Sequence, residues 1–354
     1  MFDGTVQALA PPERRARLRL ARTPRIGPMA FHAALTHFGT ALAALREVPV
    51  IGDDAIAREE AALHELGGRF LVLGDPDYPA LLASLPDGPP VLSIIGRPEL
   101  LARPAVAVVG ARDGSLAGLS LAAEFATDLA AAGFVVASGL ARGVDAAAHR
   151  AALPTGTLAV LAGGLDCVYP PQNAELHAAI ARDGLLLAES PLGTPPVARA
   201  FPRRNRIVSG LSAGVVVIEA GAQSGSAITA RLATDQGREV FVVPGSPRDP
   251  RYAGSNALLR DGAHLARDAA DVIAALDRPI SIPKHAAQAV EVKTHYNCLN
   301  SSNRVLSALG SIPTTVDELV RRCQVSAAVV AEALLQLELE GRLERHRGNR
   351  VSLI

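Results

Sequence analysis

The chain has 354 residues, 49% of them hydrophobic, and its 35 basic and 35 acidic side chains leave no formal net charge. Zero net charge argues against a protein that coats nucleic acid by bulk charge, and no run approaches the ~20 uncharged apolar residues that cross a bilayer. The length suits two or three domains, and the first residues lack the basic-then-apolar order of a signal peptide, so a cytoplasmic protein is expected.

Cys167, Cys298 and Cys323 are far apart and lack metal-ligand spacing, so free thiols and no metal are expected. Lys284 and Lys293 are the only lysines. Arginine suits bidentate phosphate contacts, but a GC-rich genome produces the same bias, so the position of each arginine carries more weight than their number.

Residues 1–66 read as a small module of short helices, of a SAM or helix-hairpin-helix kind, with the turn PRIGP at Pro24–Pro28 between two of them. Only Gly27 stands where a DNA-gripping hairpin would have two glycines, which favours a structural or docking role. From Phe70 the pattern changes to FLVL, VLSIIG, VAVVG, FVVAS, TLAVLAG, LLLAES, GVVVIEA and EVFVVPG, separated by helical stretches. Continuous apolar runs indicate strands covered on both faces. Residues 67–276 are therefore expected to form an extended Rossmann-like, doubly wound α/β domain with a mostly parallel sheet. Residues 277–303 read as a linker. Residues 304–354 have the helix and strand order of a winged helix, with Thr314 or Thr315 and Ser326 placed as N-caps. The presumed recognition helix carries Glu332, Glu338 and Glu340 and no basic residue, so DNA contact and protein docking are equally open for this domain.

Two strand–turn–helix passages, VAVVGAR and VVASGLARGVDAAAH, place Arg112 and Arg142 at neighbouring glycine turns. Outward-facing N–H groups at a helix start, joined by an arginine, make an anion site. The first turn is not GxGxxG, and the second strand ends in Ser138 and Gly139 where a ribose-binding acid would stand, so NAD and FAD are disfavoured and no cofactor is expected. Asp145 and His149 share a helix face, more as a clamp on the loop than as an acid/base pair. Tyr169 could stack on a base or fill a packed corner. Arg199, Arg203, Arg204 and Arg206 crowd ARAFPRRNR, with a helix expected after Pro202, and they cannot all be buried. Ser224, Gly225 and Ser226 offer donors at a further helix start, with Glu219 at the preceding strand end.

Together VGAR, SGLARGVDAAAH, GGLDCVYP, FPRRNR, EAGAQSGSAITA and VPGSPRDPRYAGSNALLRDGA resemble the DNA-processing protein A family (DprA, also called Smf), in the family's order. The resemblance implies a non-enzymatic protein that binds and protects single-stranded DNA and loads RecA recombinase during natural transformation. It further implies a homodimer, with single-strand-binding protein as another partner. Carried over by motif, the DNA site comprises Gly110, Ala111 and Arg112; Ser138, Gly139 and Arg142; Phe201, Arg203, Arg204 and Asn205; and Ser224, Gly225 and Ser226. Gln223 stands where the family commonly has Lys or Arg. The alternative is a nucleotide phosphoribohydrolase-like enzyme on a related scaffold, but GGLD and PGS here lack its acid at the right spacing.

Overall fold

The computed structural model describes residues 8–276, 308–310, 313–323, 330–331, 334, 337, 343–346 and 350–353. They fall into two compact units, one of residues up to 31 and from 45 to 276, the other of residues 32–44 with the C-terminal segments. The chain begins with α1 (Pro11–Arg22), α2 (Pro28–Phe38), α3 (Ala41–Glu47) and α4 (Asp53–Glu65). The PRIGP turn separates α1 from α2 as the sequence suggests.

The first unit continues with β1 (Gly68–Val72), α5 (Ala80–Ala83), β2 (Val91–Gly96), β3 (Ala105–Gly110), α6 (Leu116–Ala131), β4 (Val135–Ser138) and α7 (Val144–Ala152). There follow β5 (Thr157–Leu161), α8 (Ala174–Asp183), β6 (Leu185–Ala188), α9 (Ala200–Gly210), β7 (Gly214–Ile218) and α10 (Gly225–Asp235). It closes with β8 (Glu239–Val242), α11 (Ala253–Arg260), β9 (His264–Leu265) and α12 (Ala269–Leu276). All eight expected strands form, and β9 adds a short ninth. The sheet order is β1-β2-β6-β5-β4-β3-β7-β8-β9. Within this sheet, among the described residues, only β1 with β2 and β2 with β6 pair antiparallel.

Alternation along the central strands explains why both faces are covered. Ala107, Val109, Val215 and Val217 point into a core with Ile207 and Val208 of α9 and Ala230 of α10. Val106, Val108, Val216 and Ile218 point the other way, onto Phe125 and Leu129 of α6, Ala148 of α7 and Val272 of α12. Each fully buried Val or Leu contributes about 1.5–3 kcal/mol, which makes the sheet a rigid platform. At the antiparallel edge, Leu18 of α1 and Ile56 and Leu63 of α4 cover Phe70 and Val72. Arg14 reinforces this with an ion pair to Asp75 at 3.0 Å.

Strand order determines where a ligand can enter. From β3 the chain winds one way through β4, β5 and β6, and the other way through β7, β8 and β9. Loops leaving β3 and β7 therefore part in opposite directions and open a crevice at the carboxyl ends of the strands.

In the second unit, β10 (Thr314–Thr315), α13 (Val316–Cys323), β11 (Leu343–His346) and β12 (Arg350–Leu353) give a three-stranded antiparallel sheet in the order β10-β12-β11. Thr315 caps α13, its Oγ1 accepting the N–H of Glu318 at 3.3 Å. Leu319, Val330, Leu334, Leu337 and Val351 share one core. The expected linker 277–303, the first and third winged-helix helices over most of their lengths, the cap Ser326 and the wing turn at Gly348 and Asn349 lie outside the described residues. Among the described residues no helix is long and apolar enough to cross a membrane.

Candidate nucleic-acid interface

The carboxyl ends of β3, β4 and β7 border a cleft of 790 Å³. Gly110, Ala111 and Arg112 line one wall, Gly139 and Ala141 another, and Ser224, Gly225 and Ser226 a third; Phe201, Arg204 and Asn205 of α9 close it. A smaller cavity of 290 Å³ adjoins it across Arg112, Tyr169 and Phe201, and Arg142 lines this second space. Ser138 lines neither, because its Oγ is buried and donates to the carbonyl of Val108 at 2.6 Å. Arg203 faces away from the main cleft into two neighbouring recesses.

Gly110 and Gly139 are required by close approach. A Cβ at Gly110 would lie 1.9 Å from the carbonyl oxygen of Ile218, and one at Gly139 would lie 2.2 Å from Nη1 of Arg204.

The expectation that both glycine turns present open N–H groups needs correction. In the second turn, Asp145 Oδ2 accepts from the N–H groups of Gly139 and Ala141, at 3.2 and 3.3 Å. His149 Nε2 accepts from Leu140 at 3.3 Å. Thr157 donates its own proton to the Val136 carbonyl, so His149 Nδ1 must donate to Thr157 Oγ1, at 2.8 Å, which fixes one neutral tautomer. Burial holds this imidazole down at about 3. Asp145 and His149 are thus the clamp the sequence favoured, and they occupy the N–H groups of Gly139, Leu140 and Ala141.

The helix start after the first turn is occupied in the same way. Glu219 is buried and accepts from the N–H of Ser115 at 2.9 Å, from the Ser115 hydroxyl, and from the Tyr252 hydroxyl at 3.0 Å. A buried carboxylate at a helix N-terminus satisfies the dipole from inside the protein. Glu219 does not line the cleft.

Two sets of donors remain beside the main cleft. Among the described residues, the N–H groups of Arg112 and Asp113 have no acceptor within the chain. Gly225 and Ser226 begin α10, where the first N–H groups lack intrahelical acceptors, while the Ser224 side chain caps Ala227 at 3.2 Å. Both sets border the same cleft.

Of the four crowded arginines, two are structural. α9 starts at Ala200, two residues before the proline, and buries Arg204 and Arg206 while Arg199 and Arg203 are exposed. Arg204 donates to the carbonyls of Gly139 and Val160, the latter at 2.6 Å. Its Nε donates to Asn205 Oδ1 at 3.1 Å, and Asn205 Nδ2 donates to the Gly225 carbonyl at 3.2 Å. Arg204 and Asn205 therefore tie the β4 turn to the start of α10. Burial lowers the Arg204 guanidinium to about 10 and raises the carboxyl of its neighbour Asp145.

The exposed cations of the cleft and its adjoining cavity are Arg112 and Arg142. Arg142 meets Asp113 at 3.4 Å, and both side chains are exposed, so this pair contributes only ~0–1 kcal/mol and yields readily to a phosphate. Arg112 lies over the Phe201 ring at 5.2 Å, and the Tyr169 ring sits 5.6 Å from Phe201, tilted by 58°. Tyr169 is 46% exposed. It is not among the residues that the family motifs carry over, although the sequence allowed it as a base stacker. Among the described residues no His, Cys, Asp and Glu group could hold a metal ion, and neither Cys167 nor Cys323 is in a disulfide.

Fold and site define a doubly wound α/β protein with a cleft lined by arginine and aromatic side chains at its topological switch point. Sequence profiles place it further. The profile of DNA recombination-mediator protein A matches residues 69–277, that of the DprA winged helix domain residues 300–349, and that of the DprA-like N-terminal HHH domain residues 11–66. The chain belongs to the DNA recombination-mediator protein A (DprA) family. Protein Smf of Escherichia coli strain K12 is 37% identical over 294 residues, covering 82% of this chain and 79% of that protein. The X-ray structure of DprA from Streptococcus pneumoniae aligns with a TM-score of 0.59 at 37% identity, over 66% of this chain and 80% of that one. A structure of DNA processing protein A from Helicobacter pylori, which concerns its single-stranded DNA binding mode, aligns at 0.54 and 33% identity, over 58% of this chain and 95% of that one.

Proposed function

We propose that this protein binds single-stranded DNA in the switch-point cleft, protects it, and delivers it to RecA recombinase during recombination of incoming DNA. The observation that carries this reading is the union, in adjoining cavities, of open N–H donors, exposed Arg112 and Arg142, and the Arg112–Phe201–Tyr169 ladder. Donors and arginines suit successive phosphates, and the ladder suits an unstacked base, whose aromatic stacking is worth about 1–3 kcal/mol. A rigid duplex neither enters a concave cleft nor exposes base faces. Binding is then independent of sequence. The Helicobacter pylori relative, a single-stranded DNA binder, supports the same reading.

In this reading the phosphate contacts come from Arg112, Arg142 and the Ser224–Ser226 helix start, with Gly110 and Ala111 allowing close approach. Phe201 and Tyr169 stack, and Arg204, Asn205, Ser138 and Gly139 hold the walls in place. RecA, single-strand-binding protein and a second copy of the chain are the partners, and residues 1–66, 67–276 and 304–354 are its domains. The protein acts without catalysis. The burial of Glu219 outside the cleft, with three donors on its carboxylate, weighs against its serving as the catalytic acid of the phosphoribohydrolase alternative.

The test is titration with oligothymidylate and with duplex of equal length across a range of salt, for wild type and Arg112→Ala. Single strand should bind more tightly, and the variant should lose affinity. Equal affinity for both nucleic acids would overturn the reading.

A further inference from the structure

Beside the main cleft lies a second groove of 410 Å³, in which the PRIGP turn between α1 and α2 meets the loop after β6. Arg25, Gly27, Ser190, Pro191, Thr194 and Arg203 are among its lining residues. A small recess lined by Glu189, Ser190, Arg203 and Arg204 lies between it and the cleft, sharing Arg204 with the cleft and Arg203 with the groove. The three spaces therefore follow one another along the carboxyl edge of the sheet.

Charge and backbone both mark this groove. Arg25 is exposed and, among the described residues, makes no hydrogen bond or ion pair. Arg203 is exposed too and meets Glu189 only at 3.7 Å. Glu189 is the groove's acid, and Arg206 already neutralises it at 2.5 Å. Arg25 also adopts a left-handed backbone with φ of 70°. A glycine would take this conformation freely, whereas another residue is strained by roughly 1–3 kcal/mol. The other described non-glycine residues with positive φ are Leu140, which lines the cavity adjoining the main cleft, and Glu219, just after β7. Strain of this kind concentrates where backbone geometry serves a site.

We propose that a single strand leaving the main cleft continues past Arg203 into this groove, where Arg25 holds a further phosphate and the Pro24–Pro28 turn supports the chain. The N-terminal helical module is then part of the binding track for longer strands. The proposal rests on the single-strand reading of the cleft.

The experiment is affinity for oligothymidylates of about 4 to 16 nucleotides, the range of known single-strand sites, measured with full-length protein. Wild type, Arg25→Gln, Arg203→Gln and Arg112→Ala are compared, with thermal melts to verify folding. Arg25→Gln and Arg203→Gln should match wild type on the shortest strand and lose about three- to tenfold on the longest. Each should also lower the slope of log K against log salt by ~0.7 on long strands only. Arg112→Ala should weaken binding at every length. If it does and the other two show no length-dependent loss, the groove is not part of the track. If Arg112→Ala is silent at every length, the cleft reading itself fails, and the extension with it.

Discussion

Removing the Arg204 guanidinium gives the sharpest separation between a residue that touches DNA and one that shapes the cleft. Arg204 is 6% exposed, donates to two carbonyls and to Asn205, and lies beside the equally buried Asp145. Arg204→Ala removes a donor from each of those carbonyls and the charge partner of the carboxylate, a change that costs about 3–5 kcal/mol. Against a domain stability of about 5–15 kcal/mol this is a large fraction. The pH dependence follows from Asp145. Burial raises its carboxyl above the usual range and Arg204 pulls it back, so the variant's Asp145 rises further. A carboxyl raised in the folded state binds its proton more readily there than in the unfolded chain. The folded state therefore gains stability as pH falls through the raised value towards the unfolded value of ~3.9. The stability deficit should be largest at neutral pH and narrow on acidification, and Asp145→Asn in the same chain should recover part of it. Denaturant unfolding at several pH values measures this, alongside oligothymidylate binding across salt. Binding should weaken because the β4 turn and α10 lose their tie, with the salt slope unchanged. A variant of wild-type stability whose salt slope drops by ~0.7 would refute the reasoning, since Arg204 would then be a phosphate contact.

Arg112→Ala should weaken single-strand binding at least tenfold, about 1.4 kcal/mol, and reduce the salt slope by ~0.7; fluorescence titration checks both. His149 is held at about 3 by burial, far below its unfolded value, so its contribution to stability is present above pH ~6.5 and lost below it. The stability gap between wild type and His149→Gln should therefore shrink between pH 7.5 and 5, and a constant gap would contradict a buried neutral imidazole. Glu219→Ala strands the donors of Ser115 and Tyr252 and should lower stability by about 1.5–3 kcal/mol, with no release of free base from nucleoside monophosphate by either protein. Deleting residues 301–354 should leave single-strand binding largely intact, and its abolition would move the site to the winged helix.

Much of this molecule was legible in its residues. Continuous apolar runs indicated strands buried on both faces, since a strand with one wet face must alternate. Thr315 was readable as a cap because a hydroxyl just before a helical run has a nearby N–H to serve. The glycines marked the turns, and the motif order pointed to the family. What the residues left open was who uses each donor. The Asp145–His149 pair is local, four residues apart on one helix, yet their targets are the very N–H groups that a reading of the turn alone assigns to a ligand. Glu219 fills the start of α6 from a position 104 residues away from Ser115. The choice between buried Arg204 and exposed Arg203 depended on where α9 begins and on carbonyls of the turn after β4 and of β5, 65 and 44 residues distant. Sequence determined the types of donor and charge present, because those are properties of single residues and their near neighbours. Only the tertiary structure decided which remain open to a strand of phosphates, because each donor's competing acceptor comes from another part of the chain.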